Sequence, residues 1–180
     1  MRYTFIFLLL LIISCKSTQV PPDKAAEKLG ANPYFLIDGQ PVEKKEIMKY
    51  QPTDIASVTT YYGKDATNNF GDKAIDGAVS ISTNTFATNK YETLFKSFSK
   101  DYEKAMKEND RSEIQYILND RILTENFEGD LASIDNKLLK DLKVIDQNTL
   151  IDKFKIIDKK IGVLITSKRP KNVYNSKKNF

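Results

Sequence analysis

Polar and apolar positions change rhythm three times along this chain. Tyr34-Phe35-Leu36-Ile37 runs into Asp38-Gly39, a turn pair in which glycine takes positive φ cheaply. A short second strand at Pro41-Val42 follows. Residues 43–50 read as a brief helix that Pro52 ends. From Asp54 to Tyr61 the residues alternate as a strand does, and Tyr62-Gly63 closes it. Residues 64–70 make a second short helix stopped at Gly71, and Gly77 to Thr83 form a strand with one apolar face. The two short helices are expected on the same face of one small mixed sheet.

The period then lengthens. Residues 84–90 read as a polar connection. Beyond them Tyr91, Leu94, Phe95, Phe98, Tyr102, Ala105 and Met106 recur at helical spacing. This predicts one long amphipathic helix over about 90–108, with Asn89 and Glu92 as a capping-box-like start. Glu92 with Lys96, and Glu103 with Lys107, are favourable i,i+4 pairs. Phe95 and Phe98 are expected in the core. After Asn109-Asp110 the first half is echoed. Residues 116–120 resemble 34–38, residues 141–145 resemble the stretch from Asp54 to Val58, and residues 162–168 resemble the last strand. In that reading Arg121 replaces the turn glycine Gly39. The alternative is a plain α+β extension. The fold class is α+β, with a small mixed sheet, short helices, a long helix and either a degenerate second half or such an extension.

The amino-terminal end has a different character. Arg2 precedes an apolar run that ends Ile12-Ile13-Ser14-Cys15. The run is the n-region and h-region of a secretory signal. It is shorter than the roughly 20 residues a membrane-spanning helix needs. Its end resembles a lipobox, with Ile12 where leucine is usual, and this implies cleavage before Cys15 and lipidation of that thiol. Pro21-Pro22 and polar neighbours then suggest an extended tether. The divisions read from the sequence are 1–14 signal peptide, 15–32 lipidated tether, 33–83 first domain, 84–112 helix and connection, 113–168 second α+β unit and 169–180 basic tail.

Composition narrows the chemistry. There is no histidine or tryptophan, and Cys15 is the only cysteine. Histidine-based catalysis, cysteine nucleophiles beyond the anchor, disulfides and the common zinc sites are excluded. No calcium-loop motif occurs, so no metal and no cofactor is expected. The net charge is +4, but Lys168, Arg169, Lys171, Lys177 and Lys178 lie together without an acid. The rest is slightly acidic, so no nucleic-acid partner is expected. Asp38, Asp54, Asp65 and Asp76 are the candidate carboxylates for glycoside chemistry. Each reads more simply as a turn or cap residue, and no catalytic residue is assigned. Tyr61-Tyr62 is a candidate stacking pair for a sugar ring.

Residues 33–83 resemble the plug domain of TonB-dependent outer-membrane receptors, the SusC/RagA type in particular. The matching pieces are Tyr34 to Gly39, Pro41-Val42, Pro52 with Asp54-Ile55-Ala56-Ser57-Val58, Lys64-Asp65-Ala66-Thr67, Phe70-Gly71, and Gly77-Ala78-Val79 with Ile81 and Thr83. They follow the family's order and spacing over less than a third of the chain. No barrel follows the match and no TonB box precedes it, so transport by this chain alone is not implied. The expectation is a non-enzymatic binding or accessory module. It is held by lipid at the outer membrane, on the periplasmic face, beside a receptor protein. A structural envelope lipoprotein without a transport link is the alternative. The sequence names no ligand and no oligomeric state.

Overall fold

A computed structural model describes residues 25–169. The chain is α+β, built on two four-stranded mixed sheets. The first contains β1 (Tyr34–Ile37), β2 (Gln40–Val42), β3 (Ile55–Tyr61) and β4 (Ala78–Thr83), in the order β2-β1-β4-β3. The second contains β5 (Ile114–Leu118), β6 (Arg121–Ile122), β7 (Leu139–Asp146) and β8 (Ile161–Ser167), in the order β6-β5-β8-β7. In each, a hairpin is followed by a parallel central pair, and an antiparallel strand lies on the far edge.

The repetition extends to local irregularities. β3 slips register against β4 between Ile55 and Ser57, and β7 slips against β8 between Leu139 and Asp141. Each slip inserts one residue, Ala56 or Lys140, and bends the strand as a bulge does. One constant offset relates the pairings Ile55↔Thr83 and Tyr61↔Ala78 to Leu139↔Ser167 and Ile145↔Gly162. It carries α1 (Lys44–Ile47) onto α5 (Glu128–Ala132) and α2 (Gly63–Phe70) onto the α6 segment, Gln147–Thr149 with the π-helical turn Leu150–Phe154. Asp141 therefore stands at the place of Ser57, not of Asp54. In the hairpins Ile37↔Gln40 corresponds to Leu118↔Arg121, so Asp120, not Arg121, takes the place of Gly39.

The sheets are covered on both sides, which corrects the expectation of one helical face. Successive strand side chains point to opposite faces. Phe35, Ile37, Val79 and Ile81 pack with Ile47 of α1 and with Ala25, Ala26 and Leu29. Leu36 and Ala78 pack with Ala66 of α2, joined by Tyr34, Tyr61 and Phe70. All of β1 after Tyr34 is buried for this reason. The second sheet adjusts side-chain size at the same contact. Ala66 and Ala78 become Leu150 and Gly162, and a Cβ on Gly162 would stand 2.7 Å from Leu150 Cδ2. The volume lost on the strand is regained on the helix, as close packing requires.

The middle of the chain differs from its sequence reading. There are two helices, α3 (Asn84–Phe98) and α4 (Lys100–Glu108). Thr83, the last strand residue, caps α3 by accepting the Phe86 N–H at 3.2 Å, so the helix starts directly from the sheet and Asn89 lies inside it. Ser99 is extended and accepts the Tyr102 N–H at 3.2 Å, which starts α4. This break turns the chain so that Tyr102 enters the core and Phe98 remains 45% exposed. Tyr91, Phe95 and Tyr102 pack against Tyr116, Leu118, Val163 and Ile165 of the second sheet. Where the units meet, Ala56 of the β3 bulge packs with Ala87 and Ala132. No helix among the described residues is long and apolar enough to cross a membrane.

Candidate functional site

The hairpin turns carry the most specific polar geometry. Asp38 and Gly39 have φ of 51° and 79°, and Asn119 and Asp120 have 47° and 65°. Two successive positive φ values in a two-residue loop make the turn that matches strand twist. In each sheet the first turn residue binds the chain twice over. The Asp38 N–H donates to Ile81 O at 2.8 Å, and the Asn119 N–H to Ile165 O at 2.9 Å. Their side chains then grip the end of the last strand. Asp38 Oδ1 accepts the Thr83 N–H at 2.7 Å and Oδ2 accepts the Thr83 hydroxyl at 2.9 Å. Asn119 Oδ1 accepts the Ser167 N–H at 3.0 Å, while its Nδ2 donates to Ser167 O at 3.1 Å.

The difference between acid and amide follows from what comes next. Thr83 begins a helix. By donating its hydroxyl proton to Asp38, it turns a lone pair toward the Phe86 N–H. No helix starts at Ser167 within the described residues, so its carbonyl takes the Asn119 amide.

Asp38 and Thr83 line an open depression of about 390 Å³ with Tyr50, Asp54, Asn84 and Thr85. Of the four candidate carboxylates only Asp38 and Asp54 meet there. Asp54 Oδ2 accepts the Gln51 N–H at 3.2 Å in a reciprocal cap. Asp65 lies in the first turn of α2, and Asp76 accepts the Asn32 N–H at 2.9 Å. Tyr61 packs edge-on to Phe70 at 5.0 Å, whereas Tyr62 is exposed, so the two do not form one platform. Cys15 lies outside the described residues.

A second depression of about 380 Å³ in the second unit is lined by residues including Arg111, Gln115, Leu123, Thr124 and Phe127. The Gln115 side-chain amide donates to Leu123 O at 2.6 Å and Tyr116 O at 2.9 Å, so its donor is already used. Arg111 is committed to Glu92 at 2.6 and 3.1 Å, and Lys96 adds a third bond at 3.0 Å. Burial pushes the Glu92 carboxyl up, but the hydrogen bonds and charges of Arg111 and Lys96 outweigh it and hold it below the usual range. Behind them Tyr102 and Tyr116 share a buried hydrogen bond of 2.8 Å. Burial pushes both phenols above their ordinary range. Arg121 pairs with Asp130 between β6 and α5.

Among the described residues no group of three or more acidic or cysteine side chains is placed to hold a metal ion. Sequence reasoning missed Thr83, Asn119 and the buried role of Glu92. Asn119-Asp120 after an apolar run is itself a turn signal that would have set the register.

No family model, no curated protein and no solved structure matches this chain.

Proposed function

We propose that this chain is a lipid-anchored envelope protein and acts as a non-enzymatic accessory module for an outer-membrane receptor. One observation carries the reading. The motif pieces shared with receptor plug domains, Tyr34 to Gly39, Pro41-Val42, Asp54 to Val58 and Gly77 to Thr83, take part in all four strands of a single sheet. Asp38, the turn acid of that motif, ties the sheet to helix α3. The lipobox-like ending at Cys15 supports an anchor, and the periplasmic face of the outer membrane is its proposed place. The second sheet, with the same strand order, makes the module a tandem and offers two related surfaces to a partner.

The test is affinity purification of the full chain from solubilised membranes after cross-linking in intact cells. The reading expects a receptor barrel joined to the chain at stoichiometric levels. Cross-links to cell-wall polymer alone would favour a structural role and overturn it.

A further inference from the structure

The two units keep one geometry but reverse its charge at one end. The depression of the first unit is lined by Asp38 and Asp54, with Asn84 and Thr85 just past the clamp. At the matching places the second unit has Asn119, Leu138, Lys168 and Arg169. Thr53 becomes Lys137, and the bulge residue Ala56 becomes Lys140. Two acids are thus replaced by four bases, with Asp135 beside them in place of Gln51.

The backbone fixes these bases together. Leu139 pairs with Ser167, so Lys140 and Lys168 flank the last rung of the β7–β8 ladder. The Lys168 N–H also donates to Leu138 O at 2.9 Å, beside Lys137. All four side chains are exposed. One acid lies among them: Asp135 caps the turn by accepting the N–H groups of Lys137 and Leu138 at 2.8 and 2.9 Å, while Asp141 pairs with Lys143 at 3.1 Å. Lys140 and Lys168 have no acidic partner among the described residues. Contact with Lys168 and its charge hold the Lys140 ammonium below the ordinary lysine range. The sequence then continues through Lys171, Lys177 and Lys178 without an acid.

We propose that this end of the second sheet, through Lys137, Lys140 and Lys168, docks on the anionic phospholipid headgroups of the membrane that carries the lipid anchor. The proposal rests on the lipid-anchored reading above. Anionic phosphates between Lys140 and Lys168 relieve the repulsion the fold imposes on them. Exposed basic residues held near such a surface add attraction that salt screens. Docking would set the orientation of the tandem on the bilayer, leaving the acidic depression of the first unit open to a protein partner.

The test uses the full lipidated chain, purified from membranes and placed in nanodiscs of phosphatidylcholine alone or with one-third phosphatidylglycerol. Lysine acylation is followed residue by residue by mass spectrometry. Lys137, Lys140 and Lys168 should label about fivefold more slowly in anionic discs, with the difference lost in high salt. Lys64 and Lys73 of the first unit should label alike in both. The K140E/K168E variant should lose protection at Lys137. Equal labelling of Lys140 and Lys168 in the two compositions overturns docking while leaving the anchor intact. The same protection from inorganic phosphate in neutral discs would make this a free-anion site and overturn membrane docking. A chain that enters neither kind of disc overturns the anchor reading and the docking with it.

Discussion

Asp38 and Asn119 occupy the same place in their sheets, yet one holds the last strand by two accepted hydrogen bonds and the other by one accepted and one donated. The clamp spans 45 residues in the first unit and 48 in the second. The extra length lies between β6 and α5, where Thr124 to Phe127 stand in place of Glu43 alone. Asp38→Ala should cost about 1–3 kcal/mol, because it strips partners from the Thr83 N–H and hydroxyl at a helix start. Urea unfolding of the variant measures this. Asp38→Asn should cost less, since one acceptor oxygen remains.

The turns make an opposite pair of tests. Gly39 has φ of 79° with nothing near its Cβ position, so Gly39→Ala is a backbone effect. It should cost about 1 kcal/mol. Asp120 sits in the same conformation with a side chain, at φ of 65°. Asp120→Gly should therefore be neutral or stabilise the protein by a few tenths of a kcal/mol in thermal melts. A large loss there would show that the Asp120 side chain has a further role.

Two phenylalanines of α3 separate core from surface. Phe95 is fully buried against Tyr91 and Tyr102, at ring distances of 5.6 Å. Phe95→Ala should cost about 3–5 kcal/mol, a large fraction of the roughly 5–15 kcal/mol that holds an ordinary domain folded. Phe98→Ala should cost less than about 1 kcal/mol. Comparable losses at the two sites would mean that the helix continues through Ser99.

The junction between the units rests on small residues. A Cβ at Gly129 of α5 would run into the Ala56 carbonyl oxygen in the β3 bulge. Gly129→Ala should separate the units before either sheet melts, seen as faster hydrogen exchange in β3 and α5 than in β1 and β5.

Acid should act through Glu92. Its carboxyl is held below the usual range in the folded chain, so the unfolded chain binds the proton more readily. The stability it contributes is fully present above the unfolded carboxylate value and is lost as pH falls through the lowered folded value. Glu92→Gln leaves Arg111 and Lys96 without their carboxylate and should destabilise at neutral pH by about 1–3 kcal/mol. Variant and parent should converge in acid, and a constant difference across pH would show that the effect is packing.

Much of the first sheet could be read from its residues because each strand announces itself locally. Tyr34 to Gly39 combines an apolar run with a turn pair, and Gly77 to Thr83 has one apolar face. The two-sided cover was harder to see, since β1 is apolar on both faces and gives no alternation to orient it. The helix break at Ser99 was hidden by the apolar stripe, which continues through it from Phe95 to Tyr102. Echoes aligned by identity slipped register, because the real correspondences exchange residue types: Asp38 for Asn119, Gly39 for Asp120 and Ala66 for Leu150. Glu92 looked like a helix-start residue, since Arg111, the partner that holds its buried carboxylate, belongs to a different element. The opposite charges of the two equivalent ends could be seen only once the register was known.

The central claim is that this tandem of matching sheets works as a lipid-anchored envelope protein, and fatty-acid labelling tests it most directly. Cells expressing the full chain, or its Cys15→Ala variant, are grown with a clickable palmitate analogue, and the chain is recovered from the membrane fraction. The account predicts a labelled, membrane-held parent and an unlabelled variant that is released or remains an uncleaved precursor. Equal labelling of both chains, or an unlabelled parent that is fully processed and released, would contradict it.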